Sequence, residues 1–337
     1  MYQLGLFGWL MTWGGMFLFA VPLHAEQGQL DQSAFLRAKQ ATVGILADTQ
    51  DLRMPDVPGK LVVRGTGFHL KDGYIVTARH AAEKYEPVMG SVIPREIRIL
   101  TDNLHELPAI LVGDNAFMDV VVYRVPEEHR AIIPGGTSFN VADMAVGTEV
   151  FTVGYPLGWG PAMAFGRVGN TNVFLPTVET RLIQADLSSC SGNSGGGVFN
   201  AQGEVIGIVH AVIRTEKEDT TSSCGRLTFA IPGILAERIV SAAIAGKPLA
   251  FSRLGLHLTS VREGTKLLTV VKDVVEPAKS AGVQKHDIIL EIDGVKIIDG
   301  AQLKNYLIER TTPGQTVAVK VRRAGVDLTL HVVLRGG

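Results

Sequence analysis

Two cysteines in 337 residues are too few for a disulfide-dense miniature fold and, with no Cys-x-x-Cys pair, for a cysteine-built metal centre. Neither sign of charge is in excess. With 32 basic against 33 acidic side chains the net charge is −1, which removes the electrostatic ground for nucleic acid or an anionic membrane surface as a partner. Histidines are scattered: His69, His105, His129, His257 and His286 show no ligand spacing and read as surface or locally bonded side chains, so neither a metal nor a cofactor is expected. The first apolar run lacks a basic start. Residues 4–23 carry no charge and lead into Val21-Pro22-Leu23-His24-Ala25-Glu26, which suits an export signal cleaved after Ala25. The run is also near the ~20 residues of a spanning helix, so residues 1–25 are expected to be a signal peptide or a retained membrane anchor.

Glycine is what the chain has in plenty, and it clusters in Ser188-Ser189-Cys190-Ser191-Gly192-Asn193-Ser194-Gly195-Gly196-Gly197, just ahead of the apolar run Val205-Ile206-Gly207-Ile208-Val209. A serine between glycines in a tight loop exposes its hydroxyl, and the glycines let backbone N–H groups turn toward a developing oxyanion. The same composition makes an ordinary turn. A nucleophilic serine needs a base and an orienting acid, and the chain supplies both in framed positions. His80 ends the hairpin-like Gly65-Thr66-Gly67-Phe68-His69-Leu70 … Tyr74-Ile75-Val76-Thr77-Ala78-Arg79-His80, while Asp119 heads the apolar strand Val120-Val121-Val122-Tyr123. Asp114 is the rival acid, but Gly113-Asp114-Asn115 has the composition of a turn. Arg79 reads as a surface residue.

From Thr42 onward, short Val/Ile-rich runs alternate with turn residues, the pattern of an all-β sandwich or barrel. Length favours two domains. Residues 51–60 read as an exposed loop, and residues 26–39 as a helix whose Leu30, Ala34 and Phe35 share one face. A second helix is expected over 233–245, between Pro232 and Gly246.

The order His80, Asp119, Ser194 resembles trypsin-like proteases, and the surrounding words resemble the HtrA family: Gly-Thr-Gly-Phe, Ile-Val-Thr-Ala-Arg-His, Asp-Val-Val-Val, Val-Gly-Tyr-Pro-Leu-Gly, Gly-Asn-Ser-Gly-Gly and Thr-Phe-Ala-Ile-Pro, in order between Gly65 and Pro232. The resemblance implies a mainly β, chymotrypsin-like double barrel over 26–246, with His80 as base, Asp119 as its orienting acid and Ser194 as nucleophile. It implies an oxyanion hole from the N–H groups of Gly192 and Ser194. A substrate pocket involving Ser188, Ser189, Val209 and His210 follows from the same likeness, and it favours uncharged side chains. His210 stands where the resemblance has a small hydroxyl residue beside the acid; it either competes for Asp119 or faces the pocket rim. By the same likeness Cys190 and Cys224 are expected to form a disulfide in an oxidising compartment. Asn193 replaces the aspartate that pairs with a new amino terminus in digestive relatives, so activation is not expected to need propeptide cleavage. Phe35 packs either on a neighbouring subunit of a homotrimer or on its own barrel.

After a linker at Gly246-Lys247-Pro248, the segments Leu254-Gly255-Leu256, Pro277-Ala278-Lys279-Ser280-Ala281-Gly282-Val283 and Asp287-Ile288-Ile289-Leu290-Glu291-Ile292-Asp293-Gly294 resemble a PDZ domain over 251–337. Such a domain captures a terminal carboxylate on backbone N–H groups, here at Leu254, Gly255 and Leu256, with residues 301–309 as the facing helix. The implied function is an exported, periplasmic, ATP-independent serine endopeptidase acting on misfolded envelope proteins, with activity modulated by peptides at the PDZ domain. The alternatives are a membrane-tethered, site-specific regulatory protease and a chaperone or peptide-binding scaffold with little proteolysis.

Overall fold

The computed structural model describes residues 32–46, 62–133, 135–175, 180–213 and 224–336; residues 1–25 and the loop expected over 51–60 lie outside these. The chain is mainly β. Its first closed barrel runs in the order Thr42–Leu46, Val63–His69, Tyr74–Ala78, Val120–Arg124, Glu106–Asn115, Glu96–Leu100, and its second in the order Ala162–Val173, Leu182–Cys190, Cys224–Pro232, Val205–Ile213, Gly197–Phe199, Glu149–Gly154. No helix among the described residues is long and apolar enough to cross a membrane.

Strand Val120–Arg124 explains its own unbroken apolar run. Successive side chains of a strand point to opposite faces. Val121 and Tyr123 fill the first barrel's interior, while Val120 and Val122 pack outward with Leu235, Ala236, Ile239 and Val240 of the helix Gly233–Ile244. Both faces are dry, so the strand holds the residue at its head rigidly. The helix Gln32–Ala41 closes the other side: Phe35 meets Phe151 and Phe165 edge-on, with ring centroids at 4.8 and 5.3 Å. Of the two placements open to Phe35, the one on its own barrel is seen. Cys190 and Cys224 are bonded across adjacent strands.

The last five main strands, Leu256–Glu263, Lys266–Val274, Ile288–Ile292, Thr316–Arg323 and Val326–Val333, form a sheet in that order, covered by the helix Gly300–Arg310. The helix starts on Asp299, whose carboxylate accepts from Gln302 N–H at 2.7 Å, an N-cap bond. It has two apolar faces. Leu303 and Leu307 enter the core beneath this sheet, whereas Ile308 joins the barrel core.

Polar groups key that second face to the barrels. Glu309 takes both forks of Arg181 at 2.6 and 2.8 Å, Arg181 also donates to Thr171 O at 2.6 Å, and Arg238 donates to Ile308 O and Thr311 O at the helix end. Leu249 and Phe251, just beyond the linker, pack against the barrel core as well, while Gly246, Lys247 and Pro248 are exposed. Losing one partner of a buried pair strands the other charge, which typically costs about 3–5 kcal/mol. Glu309→Ala is therefore expected to lower the unfolding free energy by about that much, while Glu309→Ala combined with Arg181→Met recovers most of it. Denaturant titration of the full chain reads both values. For the disulfide, labelling of denatured, unreduced protein should find no free thiol; two labelled cysteines per chain would refute the bond. Reduction should lower stability by roughly 3 kcal/mol.

Candidate active site

The site lies between the barrels and is assembled from three ends of strands. Strand Tyr74–Ala78 runs into a single helical turn, Arg79–Ala82, so His80 stands on a turn rather than in the hairpin itself. Asp119 precedes strand Val120–Arg124 with a left-handed φ of 55°. The turn before it is pinned: Asn115 Oδ1 accepts from Met118 N–H at 3.0 Å, and Met118 is buried in the core.

Asp119 gathers donors. Its backbone carbonyl accepts from Arg79 N–H at 2.9 Å, and Oδ1 accepts from His80 N–H at 2.9 Å. Oδ2 lies 2.6 Å from His80 Nδ1 and 2.8 Å from His210 Nδ1. Burial works against the ionised carboxylate, but hydrogen bonds from His210 and then His80 outweigh it and hold the Asp119 pKa well below the usual carboxylate range. An ionised Asp119 only accepts, so both Nδ1 atoms carry protons and His80 turns Nε2 outward. Ligand atoms of the three groups lie within 4.8 Å of one another, a spacing that could hold a cation, yet both Nδ1 lone pairs are spent on protons. Arg79 is tied to Asp114 at 2.8 Å and to Glu83. Asp114 belongs to the end of strand Glu106–Asn115 and serves as that arginine's partner, which corrects its reading as a turn residue.

The glycine-rich loop is fastened to the first barrel through one residue. Thr66, fully buried, donates its N–H to Ser194 O at 2.9 Å and its hydroxyl to Gly192 O at 2.6 Å. Thr66 Oγ1 also accepts from Tyr155 N–H at 3.0 Å, and Thr66 O accepts from Thr77 Oγ1 at 2.6 Å. Glycine is required at 195, where φ is +86° and an added Cβ would lie 2.1 Å from Thr77 Oγ1. The loop therefore sits against the strand that leads to His80.

Ser191 O accepts from Leu157 N–H at 2.6 Å. Because a trans peptide points its C=O and N–H in opposite directions, that bond turns the Gly192 N–H away from residue 157. Among the described residues, neither the Gly192 nor the Ser194 N–H is consumed by a backbone hydrogen bond. Two unspent donors beside a half-buried loop serine suit an oxyanion.

The pocket residues separate. Ser188 is exposed, whereas Ser189 is buried and its hydroxyl has no partner among the described residues. Val209 packs into the barrel core and offers the site only its backbone, which exchanges bonds with Gly195 and Gly196 at 2.8 Å each. His210 reaches Asp119, one of its two expected positions. Thr66, Leu157 and Arg181 were not singled out from the sequence; for Thr66 the only local signal is a hydroxyl residue flanked by glycines.

Beside the last sheet, Leu254, Gly255 and Leu256 line a groove of about 590 Å³ with Leu258, Leu303 and Leu307. Gly255 has φ +83°, and its carbonyl and that of Leu254 are occupied by Val275 and Ala278 N–H. Among the described residues, strand Leu256–Glu263 pairs on one side only, leaving an edge open to an added strand.

Comparison with known proteins matches residues 65–208 to the trypsin-like peptidase domain family and residues 252–334 to the PDZ domain family. A probable periplasmic serine endoprotease of the DegP-like kind from Halomonas elongata is 32% identical over 284 residues, covering 80% of this chain and 56% of the relative. The serine protease Do-like HtrA of Bacillus subtilis is 28% identical over 298 residues, covering 80% and 62%. The chain spans little more than half the length of the curated relatives it matches. Among solved structures, an HtrA-type protease AlgW with tripeptide superposes at a TM-score of 0.65 with 24% identity, covering 90% of this chain and 96% of the other. The serine endoprotease from Yersinia pestis does so at 0.56, with 24% identity and coverage of 90% and 97%. At such identities the likeness is one of fold.

Thr66→Val keeps the shape and removes the hydroxyl, leaving Gly192 O and Tyr155 N–H unpaired, each lost bond costing roughly 1–3 kcal/mol. The expected outcome is a drop of about 2 kcal/mol or more in stability and a fall in the alkaline-plateau kcat with little change in KM. Steady-state kinetics beside thermal unfolding would check both.

Proposed function

This chain belongs to the HtrA family, a trypsin-like peptidase domain followed by one PDZ domain, and on that premise we propose that it is an ATP-independent serine endopeptidase cleaving misfolded or unfolded proteins of the cell envelope. The observation that carries the reading is the 2.6 Å contact of His80 Nδ1 with Asp119 Oδ2, beside a loop whose Gly192 and Ser194 N–H groups are unspent. His80 Nε2 takes the proton of Ser194 Oγ as the oxygen attacks a peptide carbonyl. Asp119 keeps the imidazole in the right tautomer and stabilises the imidazolium. The Gly192 and Ser194 N–H groups receive the oxyanion, a donor pair of which each member is typically worth ~10²–10³ in rate. His80 then protonates the leaving amine, and water releases the acyl group by the same steps in reverse.

Residues 1–25 direct export or anchor the chain, 26–246 cleave, and 251–337 bind peptides. Curated relatives are named as periplasmic endoproteases, which supports the same compartment here. A homotrimer is the expected assembly. A chaperone with little proteolysis is disfavoured by the ordered His80–Asp119 pair.

The PDZ groove is proposed to take a peptide with an apolar carboxy-terminal residue and to raise catalytic activity. Its wall supports this. The helix Gly300–Arg310 faces the groove with Leu303, Lys304 and Leu307 and faces the barrels with Asn305 and Glu309, the latter gripping Arg181 immediately before strand Leu182–Cys190. That strand ends at the loop bearing Ser194.

Ser194→Ala and His80→Ala are each expected to lower casein hydrolysis by about 10⁴–10⁶-fold with the fold intact; near-normal turnover in purified Ser194→Ala would sink the assignment. Titrating the full chain with a peptide ending in an apolar residue should raise the rate by ~5–150-fold. No change at a peptide concentration that saturates the groove would reduce the PDZ domain to a substrate tether.

A further inference from the structure

The strand Val205–Ile213 carries a bulge. Val209 pairs with Ala230 and Ala211 with Phe229, so His210 is the extra residue, with no counterpart on strand Cys224–Pro232. A bulge re-aims a side chain, and bulges favour the neighbourhood of active sites for that reason. This one turns His210 out of the strand's alternation and onto Asp119.

The result is one carboxylate oxygen shared by two imidazoles: His80 Nδ1 at 2.6 Å and His210 Nδ1 at 2.8 Å, both on Oδ2. The rings stand edge to face with centroids 5.9 Å apart. They differ in exposure. The His80 side chain is 44% exposed and free to exchange protons with substrate and solvent, whereas that of His210 is only 11% exposed. No step of peptide hydrolysis needs the second ring.

We propose that His210 is a positioning residue that locks the Asp119 carboxylate opposite His80 and, by drawing charge from Oδ2, sets the basicity of His80. The inference rests on the proteolytic reading of the same site. Its sign follows from electrostatics in either protonation state of His210. A neutral ring donating Nδ1–H withdraws negative charge from Oδ2, and a protonated ring adds a positive charge nearby; each disfavours a proton on His80.

Other charges around the cluster are accounted for. From the turn Arg79–Ala82 comes Arg79, which attracts Asp119 but is bonded to Asp114 and Glu83. The strand beside His210 presents Ala230 and Phe229 at the bulge, and its Arg226 is held by Asp186 at 2.8 Å. Asp119 and His80 are thus the ionisable groups in direct contact with His210 among the described residues.

The experiment follows the titration of His80 by NMR of protein labelled with ¹⁵N-histidine, in the wild type, His210→Leu and His210→Asn. The asparagine side chain puts an amide N–H near the place of Nδ1. Removing the donor should raise the midpoint of His80 by ~0.5–1 pH unit in His210→Leu, and His210→Asn should return it most of the way. In parallel, kcat/KM against pH, corrected by titration of reactive sites, should show the acid limb of His210→Leu moved upward by the same amount, with kcat on the plateau reduced about tenfold and KM nearly unchanged. A His80 midpoint that is the same in all three proteins, or one that shifts equally in the leucine and asparagine variants, overturns the proposal. Because the NMR midpoint is read without catalysis, it still decides the role of His210 if the wild type hydrolyses nothing in a Ser194-dependent way. That result would instead overturn the protease reading. Should His210→Leu prove unfolded by circular dichroism, His210→Asn and His210→Ser are compared in its place: the amide donor should hold the wild-type midpoint and the shorter hydroxyl should not, and equal midpoints overturn the proposal.

Discussion

A loop of four glycines in six residues has to be held in one geometry, and in this protein the holding is done from the other barrel. Thr66 donates twice and accepts twice, binding Ser194 O, Gly192 O, Tyr155 N–H and the Thr77 hydroxyl while fully buried. Conformational freedom is what lets Gly192 and Gly195 take positive φ, and the same freedom would scatter the N–H donors if nothing fixed the carbonyls between them. Fixing Ser191 O on Leu157 and Gly192 O on Thr66 settles the two peptide planes on either side of Gly192. Preorganised donors of this kind act without reorganising during the reaction, which is where electrostatic catalysis draws its advantage. Digestive trypsin-like enzymes fasten the corresponding loop with an ion pair; here Asn193 is buried as an amide and the fastening is made of neutral hydrogen bonds.

The same economy of shared parts recurs between the domains. One helix, Gly300–Arg310, belongs to two cores, with Leu303 and Leu307 in one and Ile308 in the other. Its charged contact, Glu309 with Arg181, is nearly dry. A buried ion pair is a poor source of net stability, since desolvation offsets most of the attraction, but it punishes misalignment severely. Its value here lies in register: the groove wall sits on the barrel at one setting, and a ligand that moves the wall must move Arg181 or break the pair.

Much of this was legible in the residue order. His80 and Asp119 sit beside the ends of apolar strands and Ser194 in a glycine-rich loop, and such framing is local, so composition reveals it. The disulfide and the PDZ domain were likewise legible through resemblance, and the strand Val120–Arg124 through its continuous apolar run. What escaped depends on contacts far apart in the chain. Asp114 has turn neighbours, yet the ladder of Glu106–Asn115 extends to it by pairing with Val121, and its carboxylate takes Arg79, 35 positions away. The target of His210 turns on a bulge, a register event that no pattern of alternation records. Arg181 and Glu309 are 128 residues apart, and neither has a sequence context that sets it off from an ordinary surface charge.

The central claim is that Ser194 is the one hydroxyl made nucleophilic by His80 and Asp119. A fluorophosphonate reacts covalently with such a serine and leaves a mass that survives digestion, so mass spectrometry locates the reacting atom without reference to any substrate. Treatment of the full chain should give one adduct per chain, on the peptide containing Ser194, and none in His80→Ala or in unfolded protein. An adduct on another residue, or undiminished labelling in His80→Ala, would contradict the account.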